Sequence, residues 1–133
     1  MEYVFHAHSG LRYLVLLVGA LAALYLLFGL LGRRPYGGLA RGLTSAFVGV
    51  LDLQLLLGLA TLFVRPLYPA LTGHIVMMFA AVGAAHALSL MAKRSAEARR
   101  KYVLSLAAVG VALVLVVGGI TAIGRGVFQS TVG

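Results

Sequence analysis

The chain has no cysteine. That excludes disulfides, thiolate metal sites and cysteine-linked haem. Charge is also scarce: 11% of the residues are charged, and only three are acidic. With 62% hydrophobic residues, a soluble domain of 133 residues could not hide its apolar surface. There is no nucleophile–base motif, no phosphate loop and no dinucleotide fingerprint, so hydrolytic and transferase chemistry are not expected. None of the three prolines falls inside an apolar run. Four unbroken spans with Asp52 as the sole candidate for a coupling proton make a poor transporter.

What remains is four apolar runs, from about His8 to Leu31, Leu43 to Val64, Gly73 to Ala92 and Tyr102 to Gly124. Each reaches the roughly 20 residues that cross a ~30 Å hydrocarbon core. The segments Gly32–Gly38, Arg65–Pro69 and Lys93–Lys101 separate them, and the prolines at 66 and 69 oppose helix continuation. Short loops make neighbouring helices antiparallel. The expected fold is all-α: one integral membrane domain over residues 1–133, an up-down-up-down four-helix bundle. The first run is too long for a signal h-region and lacks a positive n-region, so it reads as a span. Gly19, Gly58, Gly83, Gly110, Gly118 and Gly119, with many alanines, suit close helix packing. The stretch Ala80–Ala85 is where they would best leave room for a flat ligand.

The net charge of +8 does not indicate nucleic acid, because the basic residues sit in short loops between apolar runs. Arg33, Arg34, Arg41, Lys93, Arg94, Arg99, Arg100 and Lys101 lie on one side. Arg12, Arg65 and Arg125 lie on the other. This asymmetry places both termini outside. The Lys93–Lys101 run can also attract anionic lipid. Tyr13, Tyr25, Phe28, Phe63 and Tyr68 read as interfacial or packing aromatics.

Against this background five polar residues stand out. Ionisable side chains in hydrocarbon are expensive and usually have a function. His8 and His74 begin two outward-facing helix ends at similar depth. Such a pair can hold an iron porphyrin, one imidazole on each axial position of the haem iron. The plainer alternative is two interfacial histidines. Arg12 follows His8 by one turn and suits a haem propionate. Met78, one turn after His74, is a substitute ligand or filler. His86 lies about 18 Å and about 120° beyond His74, so the two cannot share one ion. Asp52 and His86 share a depth nearer the inner face. A buried carboxylate carries a large desolvation cost that a histidine would offset. The pair is a structural contact, a proton relay, or the wall of a quinone or haem pocket. His6 reads as an interfacial residue. A copper or zinc site of His6, His8 and His74 requires a non-helical start, because a helix turns residues 6 and 8 about 200° apart.

The segments His6-Ala7-His8-Ser9-Gly10-Leu11-Arg12-Tyr13, Asp52-Leu53-Gln54-Leu55-Leu56-Leu57-Gly58-Leu59 and Gly73-His74-Ile75-Val76-Met77-Met78 resemble a family of small bacterial four-helix membrane proteins of cytochrome b type. The layout is also similar to one half of haem A synthase and, more distantly, to cytochrome b561-type bundles. The resemblance implies the bacterial inner (cytoplasmic) membrane and haem between His8 and His74. Asp52 departs from the family pattern, which has histidine there, and carboxylates are poor axial ligands for low-spin haem. The resemblance therefore implies one haem b, not two.

Three functions follow as expectations. One is a b-type cytochrome exchanging electrons with a quinone or membrane dehydrogenase and an outer acceptor, alone or as a subunit of a larger respiratory or photosynthetic complex. The second is a cofactor-free accessory or assembly subunit, packed on larger partners or as a homodimer in the lipid bilayer. The third is an outer-face copper or zinc protein.

Overall fold

The computed structural model describes residues 2–63 and 69–122. These form four helices: α1 (Glu2–Leu31), α2 (Gly38–Thr61), α3 (Pro69–Lys93) and α4 (Ala98–Ala122). Each is long and apolar enough to cross a membrane, so the chain is an integral membrane four-helix bundle. Val64, Arg65, Pro66, Leu67, Tyr68, Gly124 and Arg125, assigned above to span ends, a loop and the outer charge, lie outside the described residues.

Helices α2, α3 and α4 begin about four residues earlier than the apolar runs. Apolarity marks the hydrocarbon, whereas backbone hydrogen bonding continues into the interface. Pro69 is the first residue of α3, where a missing N–H costs nothing.

All four helices are predominantly apolar around their circumference, as in membrane spans. The packing seam is written in residue size instead. Buried positions in α1 are Arg12, Val15, Gly19, Ala22, Leu26 and Gly29, alternately three and four apart. α2 repeats the pattern with Ala40, Thr44, Phe47, Leu51 and Gln54, and α4 with Tyr102, Ser105, Val109, Ala112 and Val116. A 3–4 alternation is the spacing of left-handed helix packing. Small residues let backbones approach, so dispersion holds the helices together where lipid removes the hydrophobic drive. A methyl group on Gly19 would lie 2.6 Å from Leu113 Cδ2 and 2.9 Å from Phe47 Cε1. Ala81 and Ala85 are fully buried in this core, whereas Ala80 and Gly83 of the same stretch are exposed.

α1 ends in a Schellman motif. Arg34 N–H donates to Gly29 O at 3.0 Å and Arg33 N–H to Leu30 O at 3.3 Å. The left-handed residue is Arg33, at φ 51°, although glycine suits that position best. The following loop is tied to α4. Tyr102 Oη donates to Pro35 O at 3.0 Å, and the hydroxyls of Tyr36 and Ser105 are 2.7 Å apart.

Contacts fix the helix directions. His8 near the start of α1 meets Gln54 near the end of α2, and His74 near the start of α3 meets Gly119 near the end of α4. The bundle is therefore up-down-up-down. α1 neighbours α2 and α4, and α3 neighbours α4 and α2. Among the described residues α1 and α3 make no close backbone approach across the diagonal.

Candidate functional site

The outer centre is built across that diagonal. His8 from α1 and His74 from α3 face each other with ring centroids 6.4 Å apart and planes at 81°. Each is held by the helix that forms a hairpin with its own. His8 Nδ1 lies 3.1 Å from Gln54 O, and His74 Nδ1 lies 2.9 Å from Gly119 O. A carbonyl oxygen only accepts, so both Nδ1 atoms carry the hydrogen. Nε2 is then the nitrogen of each ring not engaged by a backbone carbonyl. Such second contacts fix the tautomer and orientation of metal-bound imidazoles. Gln54 completes the clamp: its Nε2 donates to His8 O at 2.7 Å. Gln54 Oε1 is buried and has no hydrogen-bond partner among the described residues.

Two glycines make room for the rings. A Cβ on Gly58 would lie 2.9 Å from His8 Cε1. A Cβ on Gly119 would meet Met78 Cε and lie 3.4 Å from His74 Nδ1. Met78 therefore packs on α4 beside His74.

The spacing of the two rings is compatible with one metal between them. Two imidazole nitrogens about 2.0 Å from one metal, each about 1.1 Å in front of its ring centre, would put the centres about 6.2 Å apart. Two imidazoles from facing helices are also the donor set that bis-histidine haem sites use. Arg12, one turn deeper than His8, is 5% exposed. Its Nη2 donates to Tyr13 Oη at 2.8 Å, and the guanidinium lies 4.8 Å from the centre of the Tyr13 ring.

The three-histidine copper or zinc site is not assembled. α1 is helical from Glu2, so the non-helical start it requires is missing, and His6 is exposed. Among the described residues no group of three His, Cys, Asp or Glu converges.

The inner pair is in direct contact. His86 Nε2 lies 2.7 Å from Asp52 Oδ1 and 2.9 Å from Oδ2. The pair is not buried in the core, as a carboxylate inside an apolar run suggests. Its side chains are 54% (His86) and 41% (Asp52) exposed. The reason is helix spacing: α2 and α3 are the loosest neighbouring pair in the ring. Between them runs a groove of about 580 Å³, with Arg41 and Lys93 at one end and Asp52 and His86 at the other. Sequence reading misses Gln54, Gly58 and Gly119 as supports of the outer centre and Ser89 in the groove. A backbone acceptor leaves no mark on residue type, although glycine opposite a histidine is a usable signal.

No protein-family model, curated protein or solved structure matches the chain.

Proposed function

We propose that this protein is a membrane b-type cytochrome carrying one haem b between His8 and His74. The observation that carries the reading is the imidazole pair: two rings on opposed helices, at a one-metal spacing, each with Nδ1–H already committed to a backbone carbonyl. When bound, haem supplies a one-electron couple in the low-dielectric bundle. The chain's own residues do the rest. His8 and His74 present Nε2 lone pairs, and Gln54 and Gly119 hold the rings against rotation. Gly58 and Gly119 leave the space the rings occupy. Arg12 brings a positive charge one turn away, suited to a propionate. The charge asymmetry of the loops puts this centre on the outer side, with both termini. The resemblance to cytochrome b-like proteins favours the bacterial inner membrane and electron exchange with a quinone or dehydrogenase, alone or within a larger complex.

The test is a reduced-minus-oxidised spectrum of the purified protein. A b-type α-band lost in His74→Ala and retained in His86→Ala is expected. A colourless protein, or a band indifferent to His74, rejects the reading.

One observation favours a second reading. The same histidine–carbonyl bonds staple α1 to α2 and α3 to α4. In a cofactor-free accessory subunit they would be structural. That reading expects colourless protein whose thermal stability falls in His8→Ala and His74→Ala.

A further inference from the structure

We infer that the groove between the inner halves of α2 and α3 binds the head group of a lipid-soluble quinol, seated on the Asp52–His86 pair. The pair lies on membrane-spanning helices yet is open at the side, with His86 54% and Asp52 41% exposed. A carboxylate and imidazole left against hydrocarbon cost several kcal/mol. They call for a polar cover that comes from the bilayer itself.

The groove defines that cover. It measures about 580 Å³, within the roughly 300–1,000 Å³ of small-molecule sites. Val48, Gly49, Ala87 and Leu90 give it apolar walls. A carboxylate has about four lone-pair sites, and His86 leaves acceptor capacity on Asp52. Ser89 also lines the groove, although its Oγ is itself buried and without a hydrogen-bond partner among the described residues. An aromatic ring with a hydroxyl donor for Asp52 and an apolar tail for the walls matches both. A phospholipid matches less well. Its phosphate would pair with Arg41 and Lys93, and its acyl chains would then lie over the Asp52–His86 pair.

The site uses no residue of the outer pair and stands independently of the haem reading. Gly49 offers a clean probe, because a Cβ there meets nothing within 4 Å. Gly49→Leu projects into the groove and removes no polar group. The experiment labels the full chain in nanodiscs with a photoreactive azido-benzoquinol carrying a decyl tail, and maps the adducts by mass spectrometry. Saturable labelling within residues 45–52 and 86–93 is expected, competed by unlabelled decyl-benzoquinol. Loss of a charged hydrogen bond should weaken competition about tenfold or more in Asp52→Asn, and Gly49→Leu should abolish it. His74→Ala should leave labelling intact even where it removes a haem spectrum.

Wild-type labelling in both Asp52→Asn and Gly49→Leu overturns the proposal, as does diffuse, uncompeted labelling. Co-purified anionic phospholipid that blocks the label and is lost in Arg41→Ala/Lys93→Ala assigns the groove to lipid instead. A second copy covering the groove, seen as a dimer that Gly49→Leu dissociates, overturns it too.

Discussion

Single atoms decide whether the outer centre works. The Nδ1 acceptors are main-chain oxygens, so Gln54→Ala keeps the bond to His8 Nδ1 and loses only the amide bond to His8 O. It should cost about 1 kcal/mol of stability and leave haem bound. Gly58→Ala is different. Its methyl would stand 2.9 Å from His8 Cε1 and push the ring off its axis. Haem should therefore bind this variant more weakly than the wild type. Haem titration of the two purified variants, with helicity monitored by circular dichroism, checks both outcomes. At this scale the sequence is legible only in part. Counting residues along the helices brings Asp52 and His86 to one depth, and they touch. The depth match of His8 and His74 likewise places them face to face. The carbonyls that orient the rings carry no residue signature. The lateral opening beside Asp52 depends on how tightly α2 and α3 pack, which a count along each helix does not contain.

Helix ends and loops carry the next level. Arg33 occupies a left-handed position at a cost that glycine avoids. Arg33→Gly should stabilise the bundle by about 0.5–1 kcal/mol, read as a higher midpoint in thermal unfolding in detergent. Tyr102→Phe removes the donor to Pro35 O and loosens the α1–α2 loop from α4. A loss of about 1 kcal/mol is expected in the same assay. The four spans are readable from apolar length and from arginine, glycine and proline at the breaks. Their packing faces are not readable from hydrophobicity, because Leu17, Leu21 and Leu24 on the lipid side are as apolar as Val15, Ala22 and Leu26 on the core side. Size tells the faces apart only in part: glycine and alanine recur along the seam, but exposed Ala20 and Gly83 show the same residue types facing outward.

Across the whole molecule, the up-down-up-down arrangement gathers His8 and His74 at one end and the basic loops at the other. The excess of basic residues in the loops at the opposite end predicts that the histidine end lies outside. A reporter enzyme active only outside the cytoplasm, fused after residue 133, should be active, and the same reporter inserted in the Arg94–Glu97 turn should be silent. Reversed activities would put the proposed haem on the inner side.

The central claim is that two imidazoles, held near perpendicular by opposite hairpins, bind one haem. Low-temperature electron paramagnetic resonance of the oxidised, purified protein addresses it most directly. Ring planes at 81° predict a single, strongly anisotropic low-spin ferric signal. That signal should vanish in His8→Ala and in His74→Ala and persist in His86→Ala. No ferric haem signal, or one that survives both outer substitutions, would contradict the account.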